Sequence, residues 1–411
     1  MLQKPEISTS FYARPHVHIE QAPIAGGIPI GVERVSNAGI RIGGAYGTWG
    51  ESYNNANLPH LIEQHLGESL RLEERLNLAE LGFEHRQILP YLTNEEHLEL
   101  ELQVGATFLR EAAFACGWQP SEVEAVLVGI TGPAVNDYTE RIARLAGISD
   151  SALKVSIHKA CDGSVAGLNL ALNPELPAFP KLGYNIAETL LGKKVLIGGI
   201  EGLSRFMQLS HDKNALQIFG NGAGIIGVIP GETMKFLVGK TLEVFDDDGV
   251  LELHMYYPHS GRSLVEVTQV QPNHIRVAGL MHEPDEDVPV VMAGPMGMVK
   301  LFVRNGVHVV QDVFQAYQKK MVERGVPGKK IAVAIVHHAN YKINQLKEKH
   351  LQKEGIQIPM PWLLKDFGNV SAASNMIAFL RKLSDLKSGD HVLFDGFGAG
   401  TYYDVLAVEL G

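Results

Sequence analysis

Cysteine and long apolar stretches are scarce in this sequence. Its two cysteines, Cys116 and Cys161, stand 45 residues apart. This spacing excludes a disulfide framework and a zinc site built on CxxC pairs, and it suits a reducing compartment. No stretch approaches the ~18 consecutive apolar residues of a membrane-spanning helix, and the start of the chain lacks the apolar centre of a signal peptide. We therefore expect a cytoplasmic protein with no segment inserted in a membrane.

Basic tracts are missing as well. The 411 residues include 36 Lys and Arg against 46 Asp and Glu, a formal net charge of −10. This balance argues against nucleic acid and anionic membranes as partners. Apolar residues make up 45% and charged residues 20%, which is typical of a globular protein. The length predicts two or three domains, or one duplicated fold.

The first regular pattern appears well inside the chain. Residues 1–37 show no hydrophobic period, and we predict an N-terminal extension there, either an arm on the surface or across a partner subunit, or a disordered tail. A capping box at Thr93 begins a helix whose apolar positions recur every 3 or 4 residues as far as Cys116. Cys116 is thus predicted to be a core residue. Residues 125–130 follow as a buried, parallel strand.

The same succession of helix and apolar strand recurs later in the chain. A second helical pattern ends before Pro327 as the first ends before Pro120, and residues 331–336 form the next apolar strand. A glycine-led strand at residues 192–199 is repeated in pattern at residues 389–396. The two offsets, 207 and 197 residues, are nearly equal. They indicate an internal duplication of an α/β unit.

We expect the duplicated halves to span residues 38–228 and 229–411. An insertion near residues 230–290 interrupts the alternation of helices and strands in the second half. It carries four histidines and the acidic run EPDED. The histidines lack the spacing of metal ligands, and the acidic run is interpreted as a solvated loop. No metal site is predicted.

Cys161 occupies the most informative position. It stands where a short apolar strand meets a helix opened by small residues, in SIHKACDGSVAGL. A thiol at a helix N-terminus feels the positive end of the helix dipole, which stabilises the thiolate. The nearby backbone N–H groups can hold an oxyanion. The motif favours a nucleophile as much as a small core residue, and taken alone it leaves both interpretations open.

Three later segments carry further candidates. His337 in VHHAN ends a buried strand, where sites form in open α/β sheets, although a histidine there is also compatible with a structural role. Asn369 in GNVSAAS lies at a glycine turn before another small-residue helix, which it could simply cap. The loop GFGAG, with Gly398, Ala399 and Gly400, permits a close approach to its backbone and presents N–H groups.

The segments KACDG, VHHAN, GNVSAAS and GFGAG occur in the order found in the ketoacyl-ACP synthase III family of the thiolase superfamily. The chain resembles this family over roughly residues 38–411, and its run FGNGAG is similar to another family element. The resemblance implies a thiolase-like, five-layered αβαβα fold built from two duplicated α/β halves, usually assembled as a homodimer. This agrees with the duplication inferred from the sequence.

The resemblance also assigns roles to side chains. Cys161 would accept the acyl group, and His337 and Asn369 would be its catalytic partners. His337, and not His338, matches the first position of the family's HxAN run. In the family, these two side chains hold the thioester carbonyl of a malonyl group while carbon dioxide leaves. Two donors aimed at the resulting enolate oxygen stabilise it, and the enolate carbon attacks the acyl-cysteine.

The glycine loop completes the site implied by the resemblance. The backbone N–H groups of Cys161 and Ala399 would hold the tetrahedral oxyanion, and Gly398 and Gly400 would line the substrate pocket. Alanine stands at position 399 where the family usually has glycine. Since the donor is a backbone group, this departure costs little.

The implied activity is that of an acyltransferase of the 3-oxoacyl-ACP synthase III type, in fatty acid, polyketide or specialised lipid biosynthesis. Its substrates would be acyl-CoA or acyl-ACP and malonyl-ACP or malonyl-CoA, with no other cofactor. One departure concerns the segment that contacts the coenzyme A nucleotide, where Leu76 and Glu80 stand in place of a tryptophan and an arginine. Two alternatives stay open: acyl transfer to an oxygen or nitrogen acceptor, and a non-catalytic subunit of a heterodimer.

Overall fold

A computed structural model of the chain describes residues 16–20, 27–243, 266–278, 295–398 and 402–411. The strands are β1 His16–Glu20, β2 Ile30–Asn37, β3 Ile42–Trp49, β4 Glu51–Asn54, β5 His85–Ile88, β6 Ala125–Gly129, β7 Leu153–His158, β8 Val195–Glu201, β9 Gly222–Val228, β10 Met234–Glu243, β11 Glu266–Gln271, β12 His274–Ala278, β13 Ile331–Val336, β14 His391–Gly398 and β15 Tyr402–Leu410. The helices are α1 Leu58–Leu66, α2 Asn94–Ala115, α3 Tyr138–Ala146, α4 Gly163–Leu172, α5 Ile186–Leu190, α6 Ser204–Met207, α7 Lys213–Ile218, α8 Pro295–Glu323, α9 Tyr341–Lys353 and α10 Ser374–Lys382.

Two large sheets organise these elements. The first has nine strands in the order β1-β2-β3-β9-β8-β6-β7-β12-β11, and the second has four in the order β10-β15-β14-β13. Helices α4 and α10 lie between the sheets, since each contacts strands of both. Helices α2 and α3 pack on the other face of the first sheet, and α8 packs on the second with α9 beside it. The five-layered αβαβα fold expected from the sequence is confirmed.

The pairing of the strands repeats between the sheets. In the first sheet β6 is parallel to β8, which is antiparallel to β9, which is antiparallel to β3. In the second sheet β13 is parallel to β14, which is antiparallel to β15, which is antiparallel to β10. The same order and the same directions recur, and a helix follows a tight turn at the sheet interface in each half. The internal duplication predicted from the sequence is therefore present in the fold.

Local sequence explains how the first outer helix forms. The side chain of Thr93 accepts a hydrogen bond from the backbone N–H of Glu96, and the Glu96 carboxylate accepts one from the N–H of Thr93. This is the predicted capping box. Gly105 lets α2 approach α3, because a Cβ there would lie 2.6 Å from the hydroxyl of Tyr138. Cys116, predicted to be a core residue, follows the last turn of α2 and is half-buried against the cluster beneath that helix.

Two predicted boundaries are corrected by the sheet. The N-terminal extension, residues 1–37, contributes β2, which pairs along its whole length with β3, and β1, which pairs with β2. The predicted insertion contributes β12, which pairs in parallel with β7 and carries β11 on its outer side. Part of the half predicted at 229–411 thus completes the first sheet. Main-chain pairing decides both cases: β2 pairs with the next strand along the chain, whereas β12 pairs with a strand about 120 residues away.

The described core consists of several apolar clusters. The largest cluster fills the space between the two sheets around α4 and α10. Two further clusters lie beneath the outer helices, one against α2 and α3 and one against α8 and α9. Among the described helices, none has the length and apolarity needed to cross a membrane.

Candidate active site

Cys161 lies on a sharp turn between β7 and α4. The turn is a short 3₁₀ segment, Ala160–Asp162, and Ala160 has a φ of +46°, in the left-handed region that alanine rarely adopts. The helix can start close to the sheet because position 129 is glycine: a Cβ there would lie 2.5 Å from the backbone of Gly163. This turn leaves Cys161 half-buried at the N-terminus of α4.

The second half of the fold contains an equivalent turn. It spans Ser371–Ala373 and leads into α10, and Ser371 has a φ of +43°. Gly199 of β8 gives it room, because a Cβ there would lie 2.4 Å from the backbone of Ala372. The two turns touch, and the hydroxyl oxygen of Ser371 lies 3.3 Å from Sγ of Cys161, within hydrogen-bond distance. The duplication therefore sets a serine beside the candidate nucleophile.

Asn369 is fixed by this second turn. Its Oδ1 accepts a hydrogen bond from the backbone N–H of Ser371 at 2.9 Å, and its Nδ2 donates to the carbonyl of Ala339 at 3.4 Å. The preceding Gly368 has a φ of +76°, which bends the chain at this point. One Nδ2 hydrogen is left with no bond to the described residues, so the amide can donate to a substrate oxygen.

His337 is fixed from the same turn. Its Nδ1 lies 2.6 Å from the hydroxyl oxygen of Ser374, which also lies 2.9 Å from the carbonyl oxygen of Ser371. A hydroxyl has a single proton, so the partner to which Ser374 donates determines which ring nitrogen of His337 carries hydrogen. The ring meets Phe397 edge-on at 5.0 Å. Burial, followed by the charges of His338 and Lys347, lowers the pKa of His337 to about 3, so the imidazole is neutral.

His338 faces another environment. Its Nε2 accepts a hydrogen bond from the backbone N–H of Leu363 at 3.0 Å, and its ring lies against Trp362 with centroids 4.6 Å apart. Burial lowers the pKa of His338 to about 4. These contacts give His338 a packing role.

Besides Ser371, sequence reasoning missed two polar residues that join this cluster. Thr131 follows β6, and its hydroxyl lies 2.8 Å from the hydroxyl of Ser371 and donates to the carboxylate of Glu201 at 2.8 Å. Glu201 ends β8 and also accepts hydrogen bonds from the backbone N–H groups of Thr131 and Ala372. Both positions end buried parallel strands. A polar residue at the end of a buried strand is the criterion that singled out His337, and it would also have singled out Thr131 and Glu201.

A buried charge cluster underlies the turn of Cys161. The ammonium group of Lys159 pairs with Asp404 of β15 and with Asp162 at 3.1 Å. Burial lowers the pKa of Lys159, but the two carboxylates outweigh burial and raise it. Burial and the charge of Asp404 raise the pKa of Asp162. Asn169 and Thr241 donate further hydrogen bonds to Asp404 at 2.7 and 2.6 Å.

The predicted glycine loop is described only in part. Gly398 lies against the turn of Cys161, since a Cβ there would be 2.8 Å from the carbonyl of Lys159 and 3.1 Å from the backbone nitrogen of Cys161. Ala399 and Gly400 lie outside the described residues. Their predicted roles as oxyanion donor and pocket loop stay predictions.

Two cavities flank the cluster. One of about 610 Å³ includes Lys159 and the α4 residues Ala166 and Leu170 in its lining. The other, of about 350 Å³, includes Phe219, whose backbone pairs with that of Asn369. Apolar side chains dominate both linings. Either cavity has the character of a site for a hydrocarbon chain.

The segment with Leu76 and Glu80, which was expected to contact the coenzyme A nucleotide, carries an acidic side chain at Glu80. Glu80 pairs with Lys342, the second residue of α9, at 2.5 Å, and both side chains are about half exposed. The backbone N–H of Leu76 donates to the side chain of Gln217 at 2.9 Å. An acidic group in this position repels phosphate, and Lys342 offsets that charge.

The layered architecture and its duplicated sheets define a thiolase-like protein. Comparison with known proteins agrees. A sequence model described as "3-Oxoacyl-[acyl-carrier-protein (ACP)] synthase III C terminal" matches residues 321–410. A beta-ketoacyl-[acyl-carrier-protein] synthase III from Halalkalibacterium halodurans is 23% identical over 368 residues, which cover 85% of this chain and 96% of that protein. One from Azobacteroides pseudotrichonymphae is 27% identical over 303 residues, covering 72% and 77%.

Solved structures are similar in fold. The 3-oxoacyl-[acyl-carrier-protein] synthase III from Aquifex aeolicus superposes with a TM-score of 0.58 at 17% identity, covering 87% of this chain and 96% of that one. The family resemblance seen in the motifs is confirmed: at low identity, the chain is similar in sequence and in fold to ketoacyl-ACP synthase III proteins.

Proposed function

We propose that this chain is a decarboxylating condensing enzyme of the 3-oxoacyl-ACP synthase III type. The observation that carries the proposal is the shared turn at residues 369–374. It connects the amide of Asn369, the thiol of Cys161 and the imidazole of His337 through Ser371 and Ser374. An amide and an imidazole fixed beside a thiol can hold a developing enolate next to an acyl-cysteine.

The reaction has two halves. In the first, the Cys161 thiolate attacks an acyl thioester, and the carrier thiol leaves. In the second, a malonyl-type thioester binds with its carbonyl oxygen toward Asn369 Nδ2 and His337 Nε2. Loss of carbon dioxide leaves an enolate, whose carbon attacks the acyl-cysteine and releases a 3-oxoacyl thioester. For His337 to donate from Nε2, Ser374 must donate its proton to Nδ1.

Other features support substrates of this kind. The apolar cavities beside Lys159 and Phe219 suit the hydrocarbon part of an acyl group. The pairing of Glu80 with Lys342 leaves little positive charge for a nucleotide phosphate at that point. We propose acyl-CoA or acyl-ACP as the acyl donor, and malonyl-ACP or malonyl-CoA as the source of the extender.

The test separates the two halves of the reaction. Asn369→Ala should leave acylation of Cys161 near the wild-type rate and slow malonyl-dependent condensation on the order of 100- to 1000-fold, the effect of removing one oxyanion donor. Acylation is followed by intact mass after a single turnover with acyl-CoA or acyl-ACP, and condensation is followed by product formation. His337→Ala should behave in the same way.

A matched control removes a buried amide outside the site. Asn185 caps α5 through the backbone N–H of Ala187. Asn185→Ala should lower stability and leave both half-reactions intact. If Asn369→Ala condenses at the wild-type rate, decarboxylative condensation is wrong, and acyl transfer to an oxygen or nitrogen acceptor takes its place.

A further inference from the structure

An unbroken chain of hydroxyl groups links Cys161 to a buried carboxylate. Sγ of Cys161 lies 3.3 Å from Oγ of Ser371, that oxygen lies 2.8 Å from Oγ1 of Thr131, and Oγ1 lies 2.8 Å from Oε1 of Glu201. Ser371, Thr131 and Glu201 are all buried. The chain crosses between the two halves of the fold, because Ser371 belongs to the second half and the other members to the first.

We propose that Glu201 is the terminal proton acceptor for the Cys161 thiol, reached through the hydroxyl groups of Ser371 and Thr131. The thiol gives its proton to Ser371 as Ser371 gives its own to Thr131 and Thr131 gives its own to Glu201. Three O–H or S–H bonds break and three O–H bonds form. The single negative charge moves from the carboxylate to the sulfur, and no other reactant is needed.

The hydrogen bonds of each state fit this shift. Before it, the Glu201 carboxylate accepts from Thr131, Thr131 accepts from Ser371, and Ser371 accepts from the thiol. After it, Glu201 donates to Thr131, Thr131 donates to Ser371, and Ser371 donates to the thiolate. Each hydroxyl has one donor and one acceptor bond along the chain in both states, which is the pattern such a relay requires.

The surroundings favour Glu201 over His337 as acceptor. Burial raises the pKa of Glu201 to about 7, against hydrogen bonds from Thr131, Ala372 and Ser371 that lower it. The pKa of His337 is lowered to about 3. A carboxyl group whose pKa is near neutral takes up a proton at physiological pH more readily than this imidazole.

Few other charges face Glu201 within the described residues. Tyr138 of α3 shares its surroundings, and burial, then the charges of Glu101 and Glu201, raise the pKa of that phenol. Glu101 pairs with Arg205 at 3.4 Å. The hydroxyl of Tyr138 donates to the backbone carbonyl of Glu101, so it takes no part in the relay.

The experiment measures the thiol directly and needs no acyl donor. The rate of Cys161 alkylation by iodoacetamide is followed by intact mass from pH 5 to 10 in the wild type, Glu201→Gln, Thr131→Val and Ser371→Ala. Thr131→Val and Ser371→Ala remove the hydroxyl donors that stabilise the thiolate, and each should raise the alkylation midpoint by at least one pH unit, about a tenfold slower reaction at pH 7. Glu201→Gln keeps a neutral donor like the protonated carboxyl, so it should change the shape of the profile without raising the midpoint. The wild type should titrate in two steps that belong to the Cys161–Glu201 pair, and Glu201→Gln in one.

Three controls separate the relay from general damage. Thr131→Ser keeps the hydroxyl and should restore the wild-type profile. Glu101→Gln neutralises another buried carboxylate whose pKa burial raises to about 7, and Thr139→Val removes a buried hydroxyl that Ser156 contacts at 2.8 Å. Neither of these should move the midpoint. Far-UV circular dichroism establishes that each variant is folded. If Thr131→Val does not fold, Glu201→Gln alone still tests the proposal.

The outcomes are distinct. The proposal is overturned if Glu201→Gln still titrates in two steps, or if His337→Ala reduces the profile to one step and Glu201→Gln does not. It rests on the proposed function only in taking Cys161 as the nucleophile. If no acyl donor modifies the wild type but its thiol shows the two-step profile, the condensing activity is refuted and the relay is supported.

Discussion

The two cysteines of this chain are both half-buried, but their thiols have different neighbours. Cys116 packs behind α2, where a Cβ on Gly227 would approach its sulfur to 2.2 Å, and burial raises its pKa to about 12. Cys161 lies at a helix N-terminus, with its sulfur 3.3 Å from the hydroxyl oxygen of Ser371. Because the thiolate is the reactive form, Cys161 is expected to react faster than Cys116.

We expect iodoacetamide at pH 7.5 to modify Cys161 and spare Cys116. Cys161→Ala should abolish alkylation and self-acylation. Cys116→Ser should leave both unchanged and lower the free energy of unfolding by roughly 1–3 kcal/mol, since it buries a hydroxyl in a site shaped for sulfur. Peptide mapping identifies the modified thiol. Preferential labelling of Cys116 would reverse the assignment.

His338 gives a prediction about acid stability. In the unfolded chain a histidine takes up a proton near its ordinary pKa of 6.5, whereas in the folded chain burial lowers the pKa of His338 to about 4. Between these values the unfolded chain binds more protons, so stability is lost as the pH falls. From pH 7 to pH 5 the loss from this one group is about 2 kcal/mol.

The measurement is urea unfolding of the wild type and His338→Gln at both pH values. Glutamine can still accept from the backbone N–H of Leu363 but does not titrate in this range. The stability advantage of the wild type should therefore shrink by about 2 kcal/mol from pH 7 to pH 5. A constant difference between the two proteins would show that His338 titrates normally when folded.

At the scale of elements, the turn that carries Cys161 depends on the end of β14. Gly398 touches the backbone at Lys159, Cys161 and Asp162, and a Cβ would lie 2.8 to 3.1 Å from those atoms. All three are backbone atoms, which cannot turn aside as a flexible side chain can. Any side chain at position 398 must displace the turn.

Gly398→Ala should therefore slow acylation of Cys161 by at least tenfold, since small displacements of a nucleophile are costly. The control is Gly31→Ala in β2, where a Cβ would meet nothing within 4 Å. Single-turnover acylation is measured on both variants. Equal rates for Gly398→Ala and the wild type would mean that the turn tolerates the displacement.

Elements with a local cause could be predicted from the sequence. The capping box at Thr93, the buried runs that became β6 and β13, and the turn at Cys161 each depend on a few adjacent residues. The strands β11 and β12 were missed although Val267, Ile275 and Val277 alternate with polar residues around a Pro-Asn turn. Which sheet such a hairpin joins depends on β7, and no local pattern encodes that partner.

The same limit applies to the candidate site. Cys161, His337 and Asn369 could be singled out because each stands at the start of a helix or the end of a strand. Thr131 and Glu201 also stand at the ends of strands, but their link to Cys161 runs through Ser371 and exists only when the two halves pack together. Their contacts join residues far apart in the chain, and sequence spacing does not contain that information.

At the scale of the whole molecule, a buried ion cluster joins the two halves. Lys159 belongs to the first half, and its partner Asp404 lies on β15 of the second. Both side chains are almost fully buried. Removing one member of a buried pair leaves an uncompensated charge, which typically costs about 3–5 kcal/mol.

Lys159→Met should lower the free energy of unfolding by about 3–5 kcal/mol, because it leaves Asp404 and Asp162 without a cation. The control is Lys181→Met, which removes an exposed pair with Glu266 and should cost less than about 1 kcal/mol. Adding Asp404→Asn to Lys159→Met should recover part of the loss. Urea unfolding measures all three, and equal losses in the two lysine variants would contradict the role of the cluster.

Assembly belongs to the same scale. A homodimer stays a prediction from the family resemblance. The first sheet ends in β11, most of whose residues are exposed, so this strand forms one outer edge of the sheet. Sedimentation of the full chain over a range of concentrations would determine the oligomeric state.

The position of β12 in the first sheet has a consequence for biosynthesis. β7 and the turn of Cys161 leave the ribosome roughly 120 residues before the strand that covers the edge of β7. At bacterial or eukaryotic rates this delay is on the order of ten seconds. During that interval a nascent first half presents an open, apolar strand edge, a state that chaperones commonly protect. The sheet that supports the nucleophile closes only when about two thirds of the chain has been made.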